Sequence, residues 1–261
     1  MASSRPVRLL LVDGLNLIRR VHAGQPAPDE VKQADSAVGA SLQSLKRALR
    51  DCRPTHAACV FDGAGPTFRH REYPEYKAGR KPMPEPLRAR LGDIEAAFTA
   101  AGVRCLSVDE TEADDVIATL ATKVADRGGR VVVLSTDRAF QALIGPRLAV
   151  RDHFARRDVS RDDVVTRFGV EPGQLYDYWA LVGFSSNGIA GVPGIGPKTA
   201  ARLLAEHGDL EGVLAVAAVL EGKVGQALRE HAGSVRRTRE LVRLRTELRL
   251  GLNLKNLRLA A

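Results

Sequence analysis

Three short apolar runs, each followed by an aspartate, constrain the fold of this chain more than any other feature. They read VRLLLVDG, HAACVFDG and RVVVLSTD, and their aspartates are Asp13, Asp62 and Asp137. Continuous apolar runs rich in leucine or β-branched residues are typical of strands buried on both faces, as in parallel sheets. Because parallel strands end at one edge of a sheet, we expect the three carboxylates to lie together there.

Helical patterns separate these runs. Ala37 to Arg50 and Glu112 to Asp126 carry apolar residues at helical spacing, so the alternation predicts an α/β fold with a parallel sheet. After Asp152 we expect no further strands, only short helices separated by Gly and Pro. The predicted core therefore spans residues 1–160, and a helical region spans residues 161–261.

Two basic segments interrupt this plan. Residues 63–90 are rich in Pro, Arg and Lys, so they cannot form one unbroken helix. Arg236 to Arg249 has apolar residues between arginines and is interpreted as a basic amphipathic helix with a solvated face.

Charge and cysteine usage limit the partners. Lys and Arg number 39 against 31 Asp and Glu, a net charge of +8 that favours nucleic acid or an anionic membrane surface. No stretch approaches the roughly 20 apolar residues that span a bilayer. The three cysteines form no CxxC pair, and no GxGxxG or P-loop is present. We expect a cytoplasmic monomer without a membrane or nucleotide cofactor.

Six acidic residues are candidates for catalysis and for binding divalent metal. They are Asp13, Asp62, Glu112, Asp114, Asp115 and Asp137. Mg²⁺, or Mn²⁺ in its place, prefers such oxygen ligands and can assist phosphodiester hydrolysis. Each of these acids could instead have a structural role, in a turn or as a helix cap. Asp13 and Asp62 can form Asp-Gly turns, Asp137 can cap a helix, and the ETEADD acids can cap another.

The segment VPGIGPKTAARLL is a candidate phosphate-binding hairpin. Its glycines allow a tight turn, and Pro197 suits the first position of a helix whose free N–H groups can bind phosphate. The predicted DNA contacts are Gly194, Ile195, Gly196, Pro197, Lys198 and Thr199. Contacts of this kind would be independent of base sequence. The alternative is an ordinary turn between two helices.

The segment YPEYKAGRK alternates aromatic and basic residues, which suits binding of a single strand. Tyr76, Lys77 and Arg80 are its candidate contacts, and Arg20 is a candidate clamp for the scissile phosphate. A solvated basic loop and a surface arginine are the alternatives.

Six ordered motifs resemble the bacterial 5′-nuclease or flap endonuclease family over nearly the whole chain. They are VDGLNLIRR, VFDG, YPEYKAGR, ETEADDVIATLA, LSTDRAFQAL and GIAGVPGIGPKTAARLL. The resemblance implies a PIN-like core, an arch region at about residues 70–90, and a DNA-binding helix-three-turn-helix at about residues 178–207. It also implies that the six acids surround metal, with Asp114 as the principal Mg²⁺ ligand, and that Arg20, Tyr76, Lys77 and Arg80 contact the scissile region.

The chain departs from the family pattern at three acidic positions, which are Ala139, Phe184 and Asn187 here. Such losses are similar to the Xni subgroup, also called exonuclease IX, which lacks second-site metal ligands. That resemblance further implies a K⁺ ion held by the backbone carbonyls of Leu181, Val182, Ala190, Val192 and Ile195.

The expected activity is Mg²⁺-dependent cleavage of 5′ flaps at junctions of single-stranded and duplex DNA, as arise in DNA replication. Asp62, Glu112, Asp114, Asp115 and Asp137 would surround the metal, and Asp13 would orient water. Lys77 and Arg20 would stabilise phosphate charge. The alternatives are a junction-binding protein with little catalysis, because of the three lost acids, and a phosphatase of small phosphoesters.

Overall fold

A computed structural model describes residues 6–259, and its central feature is a twisted sheet. Its strands are β1 (Arg8–Asp13), β2 (His56–Val60), β3 (Arg104–Leu106), β4 (Arg130–Leu134), β5 (Leu148–Asp152) and β6 (Arg157–Val159), in the order β3-β2-β1-β4-β5-β6. The first five are parallel, which confirms the predicted sheet. The expectation that strands stop at Asp152 was wrong, because a tight turn lets β6 pair antiparallel with β5.

Alternate residues of β1 enter two separate cores. Leu9 and Leu11 pack on one side of the sheet, and Leu10 and Val12 pack on the other. The second side is covered by α1 (Gly14–Ala23), α2 (Glu30–Cys52), α4 (Glu85–Ala89) and α5 (Leu91–Ala100), and the first by α6 (Ala113–Asp126). This burial on both faces explains why the strands are continuously apolar.

The helices predicted between the strands are present. α6 matches its predicted range to within one residue at its start, whereas α2 extends well beyond Ala37 to Arg50 at the N-terminal end. Asp29 caps α2, because its Oδ1 accepts a hydrogen bond from the Lys32 N–H at 2.8 Å. This Asp-capped start lies before the apolar repeat that carried the prediction.

The Pro-rich excursion is compact. It contains the short helix α3 (Phe68–Glu72), a run of turns at residues 74–80, and α4. Proline occupies the start of α4, where a missing N–H costs nothing.

The helical region begins after β6. It contains α7 (Arg161–Phe168), α8 (Leu175–Val182), α9 (Pro197–His207), α10 (Leu210–Val216) and α11 (Gly222–Val242). Between α8 and α9 lies a small hairpin of β7 (Gly183–Phe184) and β8 (Ile189–Ala190). A Cβ atom on Gly191 would lie 2.5 Å from the Leu181 carbonyl oxygen, so this close approach of two backbones requires glycine.

The predicted helix from Arg236 to Arg249 was wrong in its second half. α11 ends at Val242, and residues 243–259, the C-terminal strap, run mostly extended along α6 towards β2. Thr119 Oγ1 donates to the Arg245 carbonyl at 3.0 Å, and Lys123 Nζ donates to the Leu248 carbonyl at 2.6 Å. Leucines on alternate residues follow, and this period of two favours an extended chain over a helix.

Within residues 6–259, no helix combines the length and the apolar character needed to cross a bilayer. The thiols of Cys52, Cys59 and Cys105 are all free.

Candidate active site

Acidic side chains from several strand ends meet at the carboxyl edge of the sheet. They line the acidic cleft, a cavity of about 360 Å³ bordered by Asp13, Asp62, Glu112, Asp114 and Asp137. Basic side chains line the same cleft, among them Arg19, His70, Lys77, Arg80 and Lys81. Five of the six predicted acids are therefore brought together, and they face cations across the cleft.

Asp13 is held rigidly at the end of β1. Its Oδ1 accepts from the Asn16 N–H at 3.2 Å, which caps α1, and its Oδ2 accepts from Ser135 Oγ at 2.7 Å. Burial, only partly offset by these hydrogen bonds, raises the pKa of Asp13 to about 7. Asp13 thus combines a local capping role with a position in the cleft. Ser135 was not among the predicted site residues, because only its place after β4 distinguishes it in the sequence.

Asp114 differs from its neighbours because its carboxylate accepts no hydrogen bond from any residue in the range 6–259. It lies in the first turn of α6. Burial raises the pKa of Asp114 well above its usual value, and the negative charges of Asp137 and Asp13 raise it further, against the opposing effect of Lys77. A cation bound in the cleft would therefore stabilise the ionised form of Asp114.

Asp62 and Asp137 each use one oxygen for local structure. Asp62 Oδ1 accepts from the Ala113 N–H at 2.8 Å, so it fixes the start of α6 at the sheet edge. Asp137 Oδ1 accepts from the Ala139 N–H at 2.9 Å and caps a 3₁₀ turn, as the capping alternative predicted. The second oxygen of each carboxylate makes no hydrogen bond within residues 6–259.

Glu112 is already surrounded by donors. Arg69 Nη1 donates to its Oε2 at 2.5 Å, Lys77 Nζ to its Oε1 at 2.5 Å, and the Tyr76 hydroxyl to its Oε2 at 3.2 Å. Burial alone would raise the pKa of Glu112, but Lys77 and Arg69 outweigh it and lower that pKa. Glu112 therefore orients Lys77 towards the cleft as an ion-pair partner.

Asp115 does not line the acidic cleft, contrary to its predicted role as a metal ligand. Its carboxylate is 2% exposed and receives Arg69 Nη1 at 2.7 Å, Arg69 Nη2 at 2.9 Å, and the Arg245 N–H at 2.8 Å. On α6 the neighbouring positions 114 and 115 point in different directions, so only Asp114 reaches the cleft.

Arg69 was not among the predicted site residues. It is 1% exposed, and besides Glu112 and Asp115 it donates to the carbonyls of Leu241 at 2.7 Å and Arg243 at 2.8 Å. In the sequence it lies within the run FRHRE, which carries no sign of burial. Arg69 links the acids of α6 to the beginning of the C-terminal strap.

Two of the predicted DNA contacts have other surroundings. Tyr76 is 3% exposed and packs edge-on against His70 at 5.4 Å, so its ring offers no free face to a base. Arg20 donates to Thr136 Oγ1 at 3.3 Å, its guanidinium lies 4.7 Å from the centroid of the Phe154 ring, and it does not line the acidic cleft. Its neighbour Arg19 lines the acidic cleft instead. The alternation of aromatic and basic residues did not indicate which faces are buried.

Asn187 ties the Tyr76 segment to the helical region. Its Oδ1 accepts from Arg80 Nη2 at 2.6 Å, its Nδ2 donates to the Tyr76 hydroxyl at 3.2 Å, and its carbonyl accepts from the Lys77 N–H at 2.9 Å. The Lys77 backbone is left-handed, with φ of 58°, and this contact supports it. The amide occupies a position where the resembled family has an acid.

The other two departures from the family pattern are also buried. Ala139 is 4% exposed, and Phe184 is 2% exposed with its ring centroid 4.7 Å from that of Trp179. A carboxylate at either position would need a cation to offset its desolvation. Neutral residues therefore suit these two sites as they stand.

The predicted phosphate-binding hairpin follows β8 and leads into α9. Gly194, Gly196, Pro197 and Lys198 are exposed, Thr199 is half-buried, and Ile195 is buried. α9 has Gly196 before it and no side-chain cap, so its first N–H groups are available to an anion.

The carbonyls predicted to hold K⁺ lie around this hairpin. Leu181 and Val182 end α8, and Ala190 belongs to β8. The Leu181 carbonyl accepts from the Val192 N–H at 2.8 Å, and the Val192 carbonyl accepts from the Ile195 N–H at 3.1 Å. A carbonyl oxygen has a second lone pair, so these bonds leave coordination capacity.

Models of two domains of one protein family match the chain from residue 8 onwards. The model described as "5′-3′ exonuclease, N-terminal resolvase-like domain" matches residues 8–169, and "5′-3′ exonuclease, C-terminal SAM fold" matches residues 170–261. The chain is 44% identical over 255 residues to flap endonuclease Xni of Klebsiella pneumoniae subsp. pneumoniae, covering 97% of this chain and 98% of that protein. It is 42% identical over 262 residues to flap endonuclease Xni of Aeromonas hydrophila, covering 99% and 97%.

Solved structures show the same fold. A bacteriophage T5 flap endonuclease in a pseudo-enzyme–product complex with DNA and metal ions matches with a TM-score of 0.71 and 25% identity, over 90% of this chain and 88% of that one. The T5 5′-exonuclease with bound zinc matches with a TM-score of 0.74 and 24% identity, over 90% and 89%. The catalytic core of Rad2 with DNA substrate matches with a TM-score of 0.57 and 12% identity, over 97% and 81%. The last two likenesses concern the fold.

Proposed function

The chain belongs to the 5′-3′ exonuclease family and is a nuclease, and from this premise we propose that it is a Mg²⁺-dependent flap endonuclease. It would hydrolyse phosphodiesters where a 5′ single strand meets duplex DNA. The family resemblance expected from the sequence motifs is confirmed by the matches to both domain models and to the Xni proteins.

The observation that carries the proposal is the acidic cleft and the Asp114 carboxylate that lines it. The Asp114 carboxylate is partly buried, is repelled by Asp137 and Asp13, and accepts no hydrogen bond from residues 6–259. A divalent cation would relieve this repulsion, and carboxylate oxygens are the ligands that Mg²⁺ prefers. The donor set of the cleft therefore fits a metal ion.

Asp114 would ligate this ion directly, and the free oxygens of Asp62 and Asp137 would accept hydrogen bonds from its water ligands. Among residues 6–259 no three carboxylate, imidazole or thiol side chains form a complete ligand cluster. That arrangement suits Mg²⁺, which usually keeps several waters and binds phosphate oxygens directly. When bound, the metal would polarise the phosphate and make a bound water more acidic.

The protein's own side chains would do the remaining work. Asp13, whose carboxylate lines the cleft and is fixed by Asn16 and Ser135, is suited to orient water there. Lys77 Nζ uses one proton for Glu112 and keeps two for phosphate oxygens. Arg19 adds positive charge from α1, whereas Arg20, which does not line the cleft, would act from its position beside Thr136.

The DNA duplex would bind at the hairpin from Gly194 to Thr199. Exposed backbone N–H groups at the start of α9, together with Lys198, suit phosphate and carry no preference for base sequence. A K⁺ ion held by the Leu181, Val182, Ala190, Val192 and Ile195 carbonyls would add positive charge there. We further propose that the protein acts as a cytoplasmic monomer without a nucleotide cofactor.

Cleavage of a 5′-labelled flap substrate in Mg²⁺ and K⁺ tests this function. Wild type should give a product at the junction, and Asp114→Asn or EDTA should abolish it. Asp93→Asn, which neutralises an exposed acid of α5 outside the cleft, is the matched control and should cleave normally.

A second candidate is a junction-binding protein with little catalysis. The neutral, buried residues at positions 139, 184 and 187 favour it, because they leave fewer acids for a second ion. If wild type binds the flap but leaves it intact with Mg²⁺ and with Mn²⁺, this second function replaces the first.

A further inference from the structure

A second groove lies on the opposite side of α3 from the acidic cleft. Thr67 and His70 face the cleft, whereas Phe68 and Glu72 line this second cavity of about 860 Å³. Its other walls are the last turns of α11 and the first residues of the C-terminal strap. We call it the arginine groove, because five arginines border it: Arg236, Arg237, Arg239, Arg243 and Arg245.

Three of these arginines are free to bind an anion. Arg236 pairs with Glu211 at 2.7 Å, and Arg239 lies 3.5 Å from the same carboxylate. Arg237, Arg243 and Arg245 are exposed, and within residues 6–259 none of their guanidinium groups forms an ion pair. Three glutamates also border the groove, so its formal net charge is +2, from five arginines against three glutamates.

Two buried side chains, Arg69 and Asp115, fix the backbone that carries Arg243 and Arg245. Arg69 holds the Arg243 carbonyl at 2.8 Å, and Asp115 holds the Arg245 N–H at 2.8 Å. The Arg245 guanidinium stacks on Phe68, 3.4 Å from the ring centroid. The backbone of this segment and the Arg245 side chain are therefore ordered before an anion binds.

The arginine groove is continuous with the DNA-binding hairpin. A neighbouring cavity of about 370 Å³ shares Glu72, Arg237 and Leu241 with it. At its other end that cavity is lined by Val192 and Pro193, which directly precede Gly194. A ligand that leaves the hairpin therefore meets Arg237 first and the C-terminal strap next.

The spacing of the cations suits a phosphate backbone. Arg237 lies in the last turns of α11 and Arg243 directly follows the helix, six positions later, a rise of about 9 Å at 1.5 Å per residue. One DNA strand has a phosphate about every 3.4 Å along the axis, so this distance spans about three phosphates. We propose that the arginine groove binds the phosphate backbone of the duplex arm beyond the hairpin, which extends the DNA-binding surface along α11. This inference rests on the proposed function.

The test measures flap binding against salt concentration for Arg237→Gln/Arg243→Gln. Arg245 is left intact because its stacking on Phe68 supports the strap. Each lost phosphate contact should reduce the slope of log K against log salt by about 0.9, so the double variant should lose about 1.8. The matched control is Arg104→Gln/Arg130→Gln, which removes two exposed charges at the opposite edge of the sheet and should keep the wild-type slope.

Shortening the duplex arm by single base pairs gives a second readout. When the duplex arm is too short to reach the groove, wild type and the double variant should have equal slopes of log K against log salt. An unchanged slope in the variant, with normal flap cleavage by wild type, overturns the groove and leaves the nuclease function intact. An oligoglutamate peptide that binds wild type but not the variant, with no change in DNA binding, assigns the groove to an acidic protein partner instead. Failure of wild type to bind flap DNA overturns both proposals.

Discussion

Arg69→Leu should destabilise the protein more than any exposed substitution, because it removes the cation from a buried cluster. Asp115 would keep only the Arg245 N–H as a donor, while its carboxylate stays 2% exposed. The carbonyls of Leu241 and Arg243 would also lose a donor each. Removing one partner of a buried ion pair typically costs about 3–5 kcal/mol. That is a large part of the roughly 5–15 kcal/mol that stabilises a domain.

A second variant separates the cost of the unpaired buried charge from the cost of lost packing in Arg69→Leu. Arg69→Leu/Asp115→Asn removes the unpaired charge and keeps an acceptor for the Arg245 N–H. Glu112 keeps Lys77 as its partner in both variants. We expect the double variant to recover about half of the lost free energy of unfolding or more, since a neutral amide avoids most of the desolvation cost.

Urea unfolding followed by the fluorescence of Trp179 and by circular dichroism measures these differences. Trp179 is the single tryptophan and is 2% exposed, so it reports on the packing of α8. Arg71→Leu is the control on the same helix, and its exposed pair with Glu110 should contribute less than about 1 kcal/mol. A cost of less than about 1 kcal/mol for Arg69→Leu, or a double variant no more stable than the single, would refute the reasoning.

Three further predictions concern other parts of the site. Asn187→Leu should lower kcat for flap cleavage by about tenfold or more, with a smaller change in KM, because Arg80 and the Lys77 backbone lose their support. Equal effects of Asn187→Leu and Asn187→Asp on kcat would contradict this prediction. Gly191→Ala should lower DNA affinity, measured by fluorescence anisotropy, because its Cβ would lie 2.3 Å from the Val182 carbonyl carbon. In EDTA, the free energy of unfolding of Asp13→Asn should increase relative to that of wild type as pH rises from about 4 to about 7. The reason is that the raised pKa of Asp13 makes ionisation of its carboxyl group destabilising for the folded wild type in this pH range. Urea unfolding at pH 5 and 7 measures this difference, and a constant difference would argue against it.

The sheet and its acidic edge could be predicted because both depend on local sequence. Each apolar run ends in an aspartate, and parallel pairing brings those ends together whatever connects them. The sequence order of Asp114 and Asp115 did not reveal which one faces the cleft. That depends on how α6 is rotated against the sheet.

The roles of Arg69 and Asn187 could not be predicted, because their partners are distant in sequence. Arg69 is 172 residues from Leu241, and Asn187 is 111 residues from Tyr76. The C-terminal strap escaped detection for another reason. Around Arg236 the arginines and apolar residues recur at the spacing of a helix. The alternation of leucines, which favours an extended chain, becomes clear only from Leu244 onwards.

Because Arg69 contacts the C-terminal strap, the order in which the ribosome makes the chain affects when the cleft is completed. A ribosome makes the strands and α6 long before it makes residues 241–245, yet the Arg69 guanidinium and the Asp115 carboxylate find their last partners there. A nascent chain that stops short of Arg245 therefore carries an incompletely satisfied charge cluster beside the cleft. We expect the finished cleft to be a late product of translation, so unfinished chains would meet cellular DNA without a competent nuclease.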